Sequence, residues 1–149
     1  MALFDAMFEF SDAQTLTATA ASTNVIDLQD SDLELGAGTP VYLNVRVGAT
    51  ALTSSGNTAT LTIALAGDTD ATIDGSSTVV FQTAAIAEAS CTAGAKLLSI
   101  ALPVKFDDNQ YIGLYYTVGT EDFTAGTIDA WLDNGPQSGY NTQVSESNI

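Results

Sequence analysis

The chain has 149 residues and 18 carboxylates against only Arg46, Lys96 and Lys105, a formal net charge of −15 that would repel nucleic-acid phosphates and anionic membrane surfaces alike. Histidine is absent and cysteine occurs once, which removes the residues most used for acid–base catalysis near neutral pH, for nucleophilic catalysis and for transition-metal ligation. Carboxylates and hydroxyls remain for hard cations or two-carboxylate chemistry, but a chain 46% hydrophobic and only 14% charged reads as one folded, non-enzymatic domain that presents a surface.

The chain opens on a dense apolar cluster, Leu3, Phe4, Met7, Phe8 and Phe10. A terminus this apolar must dock on something, as an edge strand on its own core or as an arm reaching a neighbouring subunit. It carries no basic n-region and no long apolar run, so synthesis in the cytoplasm without export or membrane insertion is expected. Weak strand signals lie around 7–10 and at 15–20, followed by an acidic run at Asp27, Asp30, Asp32 and Glu34.

Period-two alternation then dominates. At 41–47 every odd position is apolar, and at 59–65 Ala59, Leu61, Ile63 and Leu65 alternate with mostly Thr. A Thr-, Ser-, Gly- and Asn-rich stretch at 48–57 separates them, and the two runs read as a hairpin. Asp68, Asp70 and Asp74 ahead of Gly75 resemble a calcium loop at first sight, but the acid and Gly positions are out of EF-hand register and no Glu follows at the required distance. A solvated turn is the better reading.

Further strands are expected at 78–83, 96–102, 110–118 and 127–133, with a short helical turn possible over the Ala-rich 83–89. Cys91 sits among small residues with no partner and no base beside it, so no disulfide and no thiol chemistry is assigned to it. Asp107 and Asp108 form another acid pair, and in so acidic a chain such pairs arise by chance. Residues 134–149 are polar and weakly periodic, a tail or strap. Seven or eight strands without a helical stripe or a long repeat predict an all-β fold, a jelly roll or antiparallel β-sandwich over 11–133, with an N-terminal arm or edge strand at 1–10.

The same alternation singles out contact residues. Ile112, Leu114, Tyr116 and Val118 should face the core, which sends Tyr111 and Tyr115 outward with Gly113 between them. Ile128, Ala130 and Leu132 likewise leave Trp131 outward between Asp129 and Asp133. Large outward rings suggest a covered surface, so Tyr111, Tyr115 and Trp131, with Phe4, Phe8 and Phe10 of the arm, are the interface candidates. No catalytic, cofactor-binding or metal residue is assigned.

Particular segments also carry a resemblance. Phe10-Ser11-Asp12-Ala13-Gln14, then 17–28 (TATAASTNVIDL), and later 116–120 (YTVGT) with 123–132 (FTAGTIDAWL), resemble the capsid cement, or decoration, proteins of tailed bacteriophages of the Bordetella phage type. The match spans roughly residues 8–133. It implies a jelly roll present in many copies on the outside of an HK97-type shell, holding neighbouring major capsid subunits together and associating with itself as a dimer or trimer. It carries over no catalytic residue and no fixed contact motif. The acidic stretch near 68–77 and the tail from Asn134 extend beyond the family's usual pattern.

An acid face turned away from the genome suits such a position, but crowded copies would repel one another. Attachment is therefore expected to weaken at low salt or when divalent cations are removed. Two other readings compete: a carbohydrate-binding or adhesive β-sandwich stacking sugars on Tyr111, Tyr115 and Trp131, and a two-carboxylate hydrolase.

Overall fold

Antiparallel β-structure fills the computed structural model, which describes residues 6–29, 40–102 and 109–134. Twelve strand segments are described: β1 (Glu9–Thr15), β2 (Ala20–Ala21), β3 (Ile26–Asp27), β4 (Tyr42–Val47), β5 (Thr53–Ser54) and β6 (Thr60–Asp68), then β7 (Thr78–Gln82), β8 (Ile86–Ala87), β9 (Lys96–Ala101), β10 (Tyr111–Gly119), β11 (Phe123–Ala125) and β12 (Thr127–Asp133). Single 3-10 turns lie at Ala6–Phe8 and Glu88–Ser90.

The strands make two principal sheets. One runs β1-β12-β4-β9; the other runs β2-β10-β6-β7, with β3 extending β10's far side and β8 extending the β7 edge along β6. Pairing is nested: the first strand joins the last (β1 with β12), β2 and β3 join β10, β4 joins β9, and β6 joins β7. A long hairpin rolled up on itself produces this order, and it defines a jelly roll. The all-β expectation is met, and β5 with β11 adds a small two-stranded ribbon at one end.

The expected hairpin between 41–47 and 59–65 is not formed. β4 lies in the first sheet between β12 and β9, whereas β6 lies in the second between β10 and β7. Both runs do alternate, and both bury their apolar faces: Leu43, Val45 and Val47 from β4, Leu61, Ile63 and Leu65 from β6. Alternation reports which face is buried and is silent on which neighbour is paired. The loop between them is long enough to cross from sheet to sheet.

Two shorter expectations also shift. The N-terminal strand runs 9–15, between the weak signals around 7–10 and at 15–20, because the chain turns after Thr15 and drives Leu16 fully into the core. The Ala-rich 83–89 contributes strand β8 beside β6 before its single 3-10 turn.

The core is one cluster drawn from both sheets, with Phe10, Leu16, Leu43, Val45, Leu61, Ile63, Leu65, Ile112, Leu114, Tyr116 and Ile128 fully buried. Cys91 is buried at its edge with Sγ directed at the Ala87 carbonyl, and burial, followed by the nearby Glu88 charge, raises its thiol pKa. No helix among the described residues is long and apolar enough to cross a membrane.

Candidate functional site: the outer faces of the sandwich

The core strands have a second side, and it is there that the aromatic candidates stand. On β10 the register is as expected: Ile112, Leu114 and Tyr116 are fully buried, while Tyr111 and Tyr115 point to the outer face and are half-buried. Tyr115 lies opposite Ala64 of β6 and Ala21 of β2, and Tyr111 lies between Asp68 and Asp27.

The ground between the two tyrosines is filled by the protein itself. Residues 69–77 leave the end of β6 and fold back over this outer face, carrying Ile73 to 5% exposure. A Cβ added at Gly113 would sit 2.8 Å from Ile73 Cγ1 and 3.2 Å from Val25 Cγ1, so the glycine makes the seat that Ile73 occupies. Ala64 and Ala66 on β6 are buried on this same outer side, where their small side chains leave room.

The aspartates of this strap hold its shape. The Asp68 carboxylate accepts from the Thr69 N–H, Asp70 from the Thr72 N–H, and Asp74 from both the N–H and hydroxyl of Ser76. The Ser77 hydroxyl lowers the Asp68 pKa most, and Ser76 lowers that of Asp74. These are the side-chain-to-backbone turns that aspartates favour. Sequence patterning gave the solvated turn but overlooked Ile73, whose only signal was being the one large apolar residue in an acidic loop.

Trp131 belongs to the opposite face of the sandwich. It points outward from β12 as the register requires, between Glu9 of β1 and Asn44 of β4, yet it is only 7% exposed. The Arg46 guanidinium lies 5.3 Å from its ring centroid, while Arg46 Nε donates to Asp129 Oδ2 at 3.2 Å. Asp129 Oδ1 in turn accepts from the Ala13 N–H at 2.7 Å. This pins a bulge in β1 where Ala13 adopts φ 44°. Glu9 joins the same acidic ground; partial burial, then Asp12 and Asp129, raises its pKa.

The three rings therefore form no single platform, because β10 and β12 belong to different sheets and turn their outer sides in opposite directions. Phe10 is fully buried and acts as a core residue. Phe8, in the first 3-10 turn, is half-buried against the core, and Phe4 lies outside the described residues. Asp27 takes the amide of Gln110, whereas Asp30, Asp32, Glu34, Asp107 and Asp108 lie outside the described residues.

Sequence patterning missed one further cluster, at the small ribbon. The Glu88 carboxylate, buried, accepts the Ser54 N–H at 2.9 Å and the Ser54 hydroxyl. Glu121 Oε1 lies 2.8 Å from the same hydroxyl and gathers the Gly56 and Thr58 N–H groups and the Thr58 hydroxyl. The Thr58 N–H leads these donors in lowering the Glu121 pKa to about 2. Its donors are all the protein's own, which gives it the form of a loop clamp. Among the described residues no group of three His, Cys, Asp or Glu is placed to hold a metal ion.

No curated protein sequence matches this chain. One family model does, the Bbp16 model, over residues 10–132, a span that runs from the first sheet's edge strand to its closing strand and takes in the whole jelly roll. The chain thus belongs to the Bbp16 family, whose name has the form of a Bordetella phage protein.

Proposed function

We propose that this protein is a structural virion component, a capsid cement protein that sits on the outer surface of an HK97-type shell and strengthens the seams between major capsid subunits. The observation that carries the reading is the family match extending over the complete jelly roll, with no part of the sandwich left to another module. The described side chains are consistent with it: the acid groups are used to fix turns and a loop, and the aromatics are packed against their own sheets.

Burying apolar area at a seam contributes about 25 cal/mol per Å² before association costs are subtracted, so modest contacts repeated over many copies stiffen a shell against its packaged genome. The partners on this reading are the major capsid protein and other copies of the chain, with no direct contact to nucleic acid. Catalysis plays no part in it. The stacking-platform alternative needs Tyr111, Tyr115 and Trp131 together, and they stand on opposite faces.

Gradient sedimentation of lysate from cells producing the particles tests the proposal. Copies of this chain in the particle fraction, in a ratio of order one to the major shell protein, are the expected result. Absence from the particles, with all of the chain at the top of the gradient, overturns it. Retention that weakens at low salt would tie attachment to the screening of the −15 charge.

A further inference from the structure

Two residues other than glycine that adopt positive φ stand on either side of one carboxylate. Thr120 has φ 70° and Asn57 has φ 55°; Glu121 follows the first in the chain and binds both neighbours of the second. The Glu121 N–H returns to the Gly119 carbonyl at 2.9 Å and closes a three-residue turn on Thr120, a form of turn that is rare and strained. A β-branched residue makes it costlier, and such strain persists only where the surroundings hold it in place. The holding group is Glu121, whose carboxylate draws in the N–H groups of Gly56 and Thr58 around the Asn57 bend together with the Thr58 and Ser54 hydroxyls.

The Ser54 hydroxyl lies within hydrogen-bonding reach of Glu121 Oε1, at 2.8 Å, and of Glu88 Oε2, but it has one proton. With both acids ionised, one of these contacts would set oxygen against oxygen with no proton between them. Neither acid faces a cation, since every donor to them is a backbone N–H or a hydroxyl. Glu88 is buried with Ser54 alone to serve it, and a buried charge so placed is expensive, whereas Glu121 has the Gly56 and Thr58 donors besides. The other titratable groups nearby are the Cys91 thiol, which ends Glu88's own turn, and Asp122, next to Glu121 in the chain. β5, β8 and β11 carry no charge, and β6 has its single carboxylate, Asp68, at the end away from its pairing with β8.

We propose that this end of the sandwich is a strained latch shut by one extra proton: Glu88, as the acid, donates to Ser54 Oγ, and the Ser54 hydroxyl donates to the Glu121 carboxylate, which holds the Thr120 turn and the Asn57 loop closed. Each contact then has its own proton. Loss of the extra proton to water as pH rises sets two charges on one hydroxyl and frees the loop.

Urea unfolding of the free full-length protein tests this, apart from any particle and so apart from the cement reading. A folded state that holds one proton more than the unfolded chain loses stability as pH rises, by up to about tenfold in the folding constant per pH unit. Glu88→Gln keeps both contacts, its amide donating to Ser54 Oγ and its carbonyl accepting the Ser54 N–H, and removes the titration. Glu88→Gln is expected to be at least as stable as the wild type at neutral pH. The ratio of wild-type to Glu88→Gln folding constants is expected to fall at least about tenfold from about pH 5 to about pH 9. A constant ratio, or a Glu88→Gln protein weaker than wild type at neutral pH, overturns the extra proton. Thr120→Gly reads the strain: it should raise the folding constant about fivefold in the wild type and lose that gain in Glu121→Ala, where nothing holds the turn. Equal gains in the two backgrounds, or no gain in the wild type, overturn the latch. If Glu121→Ala does not fold, the wild-type gain alone decides.

Discussion

The hydroxyls of Ser11 and Tyr116 meet at 2.8 Å across 105 residues of sequence, a buried contact linking β1 in one sheet to β10 in the other. Ser11 gives its one proton to Gln14 Oε1 at 2.7 Å, so the tyrosine hydroxyl is the donor between them. Burial holds that phenol far above its usual pKa, so it is protonated at neutral pH. Tyr116→Phe keeps the ring and removes the donor. A loss of about 1 kcal/mol in urea unfolding is expected, whereas Tyr116→Ala, which empties a fully buried site, should cost about 3–5 kcal/mol. Equal losses in the two variants would show that the hydroxyl contact rather than the ring holds the sheets together.

Ile73 and Gly113 provide a second test, this one on the outer face. Gly113→Ala places a methyl group 2.8 Å from Ile73 Cγ1, so the strap must shift, at an expected cost of about 1–3 kcal/mol. Ile73→Ala removes a buried side chain and should cost about 2–4 kcal/mol. The double variant is expected to lose less than the sum, because the alanine methyl then enters space that the isoleucine vacated. Strict additivity would mean that the two residues do not share a seat.

How far the sequence leads is visible in these same residues. Period two on β10 and β12 gave the fully buried Ile112, Leu114, Tyr116, Ile128 and Ala130, because alternation is a local consequence of burying one face, while Val118 is only half-buried and the outward Trp131 is buried as well. It also directed Tyr111, Tyr115 and Trp131 outward. It could not say that β10 and β12 lie in different sheets, nor that β4 and β6 do, because pairing between distant strands leaves no period in the chain. The strap over Gly113 was hidden for another reason: an aspartate-rich loop looks solvated whether or not one isoleucine in it is tucked under. The Glu88–Ser54–Glu121 cluster joins three segments far apart in sequence, and no spacing announces it.

Glu121 gives the pH prediction. Its carboxyl is held at about 2, below the ordinary 4.5, by the Thr58 N–H first and then by the Ser54 hydroxyl, whose one proton Glu88 also faces, and by the Thr58 hydroxyl. A depressed folded-state pKa means that this group's contribution to stability is complete above 4.5 and is lost as pH falls from there through about 2. Glu121→Gln removes the titration. Its stability should be lower than wild type at neutral pH and should fall less steeply across the acid window, as measured by thermal unfolding in a pH series. An acid limb with wild-type slope would place the loop's acid sensitivity in another carboxylate.

Trp131 changes the expected order of effects in mutagenesis. A ring only 7% exposed, with Arg46 across its face, is part of the packed structure before it is part of any contact. Trp131→Ala is therefore expected to cost about 3–5 kcal/mol of stability, visible in the free protein without any shell. Removing residues 1–10 is no cleaner a test of the arm, since it takes away the fully buried Phe10. Trp131→Phe separates the two roles: it keeps most of the apolar volume and should recover much of the lost stability. If Trp131→Phe then sediments with particles like the wild type, the ring serves packing. Recovery of stability without recovery of particle retention would instead make the indole a contact to the shell.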